Sequence, residues 1–133
     1  MVAWRMHLGC LDVDYRPNET MTAYLGFPQW SSDVAVDVRT RRSAAAAADY
    51  EPGEFYRREL PYVLPLLGEL ETLPTIIIVD GYVWLGPRRP GFGHALYEAL
   101  EGRAAVVGVA KNPFRGADAV EVCRGQSARP LYV

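Results

Sequence analysis

Two carboxylates, Asp12 and Asp80, stand where a side chain could do more than keep a surface wet. Asp12 lies inside the apolar run Leu8 to Tyr15, and Asp14 follows two residues later. Residues two apart in a strand share a face, so both acids point the same way. A charge in a strand is costly if it is buried without compensation. Asp14, near the end of the run, reads as part of a partly wet face, whereas Asp12 in mid-strand reads more readily as functional. Asp80 directly follows the run Thr-Ile-Ile-Ile-Val at 75–79 and precedes Gly81. In open α/β sheets, ligand-binding residues collect at such strand ends. A turn-forming aspartate is the evenly matched alternative. If the two strands are neighbours, Asp12 and Asp80 meet. Two close carboxylates repel, and a divalent cation is the usual compensation. Glu59, in Arg57-Arg58-Glu59, reads on its own as an exposed helix residue.

Around these acids lie groups suited to a phosphate or a base. Arg88 and Arg89 form a basic pair in the segment after Asp80, fit for phosphate contacts or simply for solvent. Lys111 follows an apolar run and could reach a phosphate from a strand end. Tyr82 and Trp84 could stack on a base, as at single-stranded or flipped-base sites, or fold back onto the core. No zinc spacing, phosphate-cradling glycine loop or nucleophile elbow is present. His7 and His94 are isolated and read as structural. Cys10 reads as a small core residue, and Cys10 and Cys123 form no metal-ligand spacing and are not expected to be joined in a disulfide.

The elements that must position these groups follow from periodicity. His7 to Tyr15 and Thr20 to Phe27 read as strands, joined by the turn-forming Arg16-Pro17-Asn18-Glu19. A third strand is expected over Asp33 to Arg39, where Val34, Val36 and Val38 alternate with polar partners. Short links favour antiparallel neighbours. The alanine run Ser43 to Ala48 carries weak meaning. Glu54 to Leu70 has near-helical apolar spacing, with Pro61 marking either a kink or the true first turn. Thr75 to Val79 is apolar throughout, as in a central strand. Gly81 to Gly93 reads as a loop, His94 to Leu100 as a short helix and Ala104 to Val109 as a buried strand. Short strands are expected at Val120 to Cys123 and Leu131 to Val133. The sum is an α/β fold: three antiparallel strands, then parallel strands, in a mixed sheet with helices on its faces. This is the element order of a ribonuclease H-like fold, which many unrelated chains share.

Composition sets the remaining bounds. The 133 residues suit one domain, and half are hydrophobic, so a packed core is expected. The net charge of −2 gives no global basic footprint of the kind many nucleic-acid binders show. A carboxylate site lowers the formal charge until cations bind, so nucleic acid stays open as a partner. No run is long enough for a membrane span and no signal pattern opens the chain, so the expected location is cytoplasmic with no membrane partner.

Five blocks, in order, resemble the endonuclease V family: Leu11-Asp12-Val13-Asp14-Tyr15, then Tyr50-Glu51-Pro52-Gly53 running into Phe55 and Arg58-Glu59. Val79-Asp80-Gly81 follows, with Pro87-Arg88-Arg89 and Gly91, then Val107-Gly108-Val109-Ala110-Lys111, and last Arg129-Pro130-Leu131-Tyr132-Val133. The resemblance implies a ribonuclease H-like fold and a Mg²⁺- or Mn²⁺-dependent endonuclease. Its substrate would be DNA or RNA near deaminated bases (deoxyinosine or inosine), in DNA repair. It further implies that Asp12, Glu59 and Asp80 hold the metal, with Lys111 beside them in catalysis. Tyr50, Pro52 and Gly53 would lie at the wedge that opens the strand, and Tyr82, Arg88 and Arg89 would touch nucleic acid. The chain departs from the family pattern at Asp49, Tyr82 and Gly86. It also reads as one domain over 1–133 that lacks the family's C-terminal segment. The alternative is therefore a weak or inactive nucleic-acid-binding module. The uncovered C-terminal edge around Leu131 to Val133 is expected to offer a surface for self-association.

Overall fold

The computed structural model describes residues 7–44 and 57–133. Tyr50, Pro52 and Gly53, and most of the alanine run, lie outside the described residues. Five strands form the main sheet: β1 (Leu8–Tyr15), β2 (Glu19–Phe27), β3 (Asp37–Ala44), β4 (Ile76–Asp80) and β7 (Ala105–Val109), in the order β3-β2-β1-β4-β7. β1, β2 and β3 are antiparallel neighbours, while β4 lies parallel to β1 and β7 parallel to β4. Helix α1 (Leu60–Gly68) joins β3 to β4 and helix α2 (Phe92–Ala99) leads into β7. The mixed sheet and its helices have the order read from the sequence.

Several boundaries differ from those expected. The third strand starts at Asp37, because β2 ends at Phe27, ahead of Pro28, and offers Asp33 to Val36 little to pair with. Only the Val36 amide, donating to the Gly26 carbonyl at 2.8 Å, ties that lead-in to the sheet. Helix α1 begins at Leu60, so Pro61 sits in the first turn, where its missing N–H costs nothing. Pro65 lies inside the helix without ending it. The expected loop 81–93 holds a small hairpin, β5 (Trp84–Gly86) with β6 (Arg89–Pro90), and α2 starts two residues before His94. The chain end forms β9 (Leu131–Tyr132), which pairs with β8 (Glu121–Val122) and bridges Ala110 beside β7 through Tyr132.

Both helices cover the same face. Leu11, Tyr24, Ile77 and Val79 from the sheet share one core with Val63, Leu66 and Leu67 of α1 and Leu96 of α2. Alternation then sends Cys10, Asp12, Leu25, Val38, Ile78, Asp80 and Val107 to the other face. No described helix covers it. There Cys10, Ile78 and Val107 are half-buried, and Leu25 and Val38 are exposed. Cys10 is thus on the helix-free face and not in the core, and burial still pushes its thiol up. No described helix is long and apolar enough to cross a membrane.

Candidate active site

The parallel pairing of β1 with β4 decides where the acids fall. Leu11 registers with Val79, so Asp12 and Asp80, one step further along each strand, stand side by side on the same face. Both are exposed, Asp80 at the end of β4 and Asp12 within β1 where its pairing with β4 stops. Asp80 leaves the sheet through Gly81, whose φ of +123° suits a residue without a side chain and whose amide donates to the Val109 carbonyl at 2.9 Å. The turn then presses on β7. A Cβ on Gly108 would lie 2.5 Å from the Gly81 carbonyl oxygen and 2.9 Å from the Val83 nitrogen, so only glycine lets this exit close. Asp12 turns one carboxylate oxygen to accept the Val13 amide at 3.0 Å.

Glu59 reaches the same place from the helix side. It is the N-cap of α1, but its side chain makes no capping hydrogen bond. Burial pushes its carboxyl up to about 7, and the charges of Asp12 and Asp80 push the same way, while Arg58 opposes them. The three acids therefore share one electrostatic neighbourhood, two coming from the open face and one from the covered side. Among the described residues no three such side chains form a closed cation cage, so the carboxylates stand near one another without a finished ligand shell.

Asp14 does not join them. Its carboxylate accepts from Arg16 Nε at 2.8 Å, and Arg16 also reaches Glu19 at 3.4 Å. The reading of Asp14 as part of a wet strand face accounts for it.

Behind Glu59 stands a contact that the sequence did not single out. The Arg58 guanidinium lies over the Tyr15 ring, 4.1 Å from its centroid, and Tyr62 of α1 meets that ring edge-on at 5.8 Å. The Tyr15 hydroxyl is buried with no hydrogen-bond partner among the described residues. Its pKa is pushed up to about 12, first by burial and then by Glu59. The signal was present in the alternation. If Asp12 and Asp14 face one way, Tyr15 must face the helix that carries Arg58 and Glu59.

The loop residues divide. Tyr82 folds back: its hydroxyl donates to the Asn112 carbonyl at 2.6 Å, and its ring lies 6.1 Å from Phe114. Arg89 sits over the other aromatic neighbour, 5.5 Å from the Phe114 centroid. Arg88 occupies the left-handed region at φ 57° and is exposed, as is Lys111. Trp84 stacks on His94 at 4.1 Å, and His94 Nε2 lies 3.1 Å from Glu98, so that histidine is structural.

Known proteins share this fold. A sequence model of the endonuclease V family matches residues 3–132. Endonuclease V of Gloeobacter violaceus is 32% identical over 108 residues, which cover 80% of this chain and 43% of that protein. The chain thus spans less than half the length of that relative. The crystal structure of human ENDOV superposes with a TM-score of 0.74 at 20% identity, covering 96% of this chain and 68% of the other. Endonuclease V of Ciona intestinalis, solved with a 24mer DNA containing an inosine followed by a ribo-adenosine, gives 0.72 at 14% identity, covering 96% and 70%. The fold is ribonuclease H-like, and the chain belongs to the endonuclease V family.

Proposed function

We propose that this chain carries the phosphodiester-cleaving centre of a metal-dependent endonuclease acting on DNA or RNA near deaminated bases. What supports the reading most is the register that sets Asp12 beside Asp80 at the end of the β1–β4 pair, with Glu59 near enough for both charges to raise its pKa. Their chemistry fits a hard divalent cation, because all three offer carboxylate oxygens and Arg58 offsets only part of the charge they concentrate. Asp12, Asp80 and Glu59 would hold Mg²⁺ or Mn²⁺. When bound, such an ion supplies the positive charge that activates water and stabilises the leaving oxygen. Lys111 and Arg88, exposed after β7 and in the hairpin loop, would contact phosphate. The inosine seen with the Ciona relative suggests the base class.

The test is a labelled oligonucleotide with one inosine, incubated with Mg²⁺, Mn²⁺ or chelator. The parent should cleave only with metal. Asp80→Asn should lower the rate by about 100-fold, the scale for losing one charged group that stabilises the transition state. Equal cleavage by parent and variant would point to a contaminating nuclease. A parent that binds inosine-containing DNA and gains melting temperature in Mg²⁺ without cutting would favour a binding module. The unclosed carboxylate cluster is the observation on that side.

A further inference from the structure

The segment from Asp33 to Arg42 combines three properties. First, it is strand-patterned beyond its own sheet: Val34, Val36 and Val38 are 70%, 73% and 64% exposed. Second, β3 is an outer strand, with β2 on one side and no described strand on the other. Third, its charge is divided along its length, with Asp33 and Asp37 in the first half and Arg39, Arg41 and Arg42 in the second. Charged edges usually guard a sheet against pairing. A divided edge guards against most partners but is complementary to its own antiparallel copy.

We propose that two copies of this chain pair through β3, antiparallel about Val38, to form one continuous sheet across a twofold axis. In this register Val38 faces its symmetry mate and Asp37 of each copy faces Arg39 of the other. Within one copy Asp37 and Arg39 already pair at 3.1 Å, so four charges close into a network at the axis. Val36 meets Thr40, and Val34 meets Arg42, whose aliphatic stem can cover it. Centring on Asp37 or on Arg39 sets like charges directly opposite, centring on Thr40 faces Arg39 with Arg41, and centring on Val36 leaves Asp37 opposite Ala35 with no ion pair. The pairing is isologous, so it closes at two copies. The lead-in 33–36, bent at Asp33, Val34 and Val36 and nearly unpaired in its own sheet, straightens to gain a partner.

Sedimentation velocity of the 133-residue chain, from micromolar to sub-millimolar concentration, should show a monomer–dimer equilibrium. Asp37→Arg should weaken it by about tenfold or more, and Asp37→Arg with Arg39→Asp should restore it, because the swapped pair is again complementary. Circular dichroism and melting temperature check that each variant folds. In a background of Cys10→Ala and Cys123→Ser, Val38→Cys should cross-link to its own copy under mild oxidation, whereas Thr40→Cys alone should not. Monomer at every concentration would overturn the proposal. So would a dimer unchanged by Asp37→Arg, or one that cross-links through Thr40→Cys and not through Val38→Cys.

Discussion

The two faces of the sheet differ more than its two ends. On one face Leu11, Tyr24, Ile77 and Val79 are sealed beneath α1 and α2. On the other, Leu25 and Val38 are exposed and Ile78 and Val107 half-buried. Stability resides on the first face, since buried apolar area is the main favourable term in folding. The acidic site draws on both: Asp12 and Asp80 come from the open face, and Glu59 from the helix that seals the other. The carboxylates therefore gather where a packed layer ends, which leaves two acids wet and one partly dry.

This contrast breaks first under truncation. Leu66→Ala, in the sealed core, should cost about 3–4 kcal/mol in urea unfolding, whereas Leu25→Ala should cost less than about 1 kcal/mol. Similar losses at the two positions would mean that the open face is covered in solution.

A smaller effect follows from acidity. Glu59 has its folded pKa raised from 4.5 to about 7 by burial and by its acidic neighbours. Between those values the native state binds more protons than the unfolded state, so stability in chelator should fall as pH rises from about 4.5 to 7. After allowance for solvent screening the drop should be about 1–2 kcal/mol. Glu59→Gln should flatten this part of the profile and melt above the parent at pH 8. A parent profile that rises over the same window would place Glu59 away from the other acids.

The smallest expected change tests the joint between the faces. Tyr15→Phe should leave stability within about 0.5 kcal/mol, since the ring carries the Arg58 and Tyr62 contacts and the hydroxyl has no partner among the described residues. Tyr15→Leu removes the stack and should cost about 1–2 kcal/mol. Equal losses for both variants would show that the hydroxyl matters more than the ring.

Much of this architecture was legible in the residues. The apolar run before Asp80 and the alternation around Asp12 gave the central strands, because burial on one or both faces leaves a periodic trace. The meeting of Asp12 with Asp80 followed once those strands were taken as neighbours. Glu59 was not legible alone: a glutamate after two arginines looks solvated, and only the resemblance marked it. The third strand was misplaced because Val34 and Val36 alternate as a strand does, while pairing depends on where β2 ends. The helix-free face was missed because periodicity shows that a residue is apolar, not whether a neighbour covers it. For Tyr82 the sequence leaves stacking on a base and folding back equally open, because the carbonyl that holds its hydroxyl lies thirty residues away.

The parallel pairing of β1 and β4 also governs when the site can exist. Every contact between those strands closes a loop about half the chain long, and the loop contains the rest of the sheet's first half and α1. Such non-local contacts raise contact order and slow folding. The acidic cluster therefore forms only after the topology is complete, and a collapsed chain with β1, β2 and β3 in place still keeps Asp12 and Asp80 apart. A divalent cation bound by all three acids would select the finished topology and would do little for earlier species. Its expected kinetic signature is slower unfolding, with the rate of folding nearly unchanged.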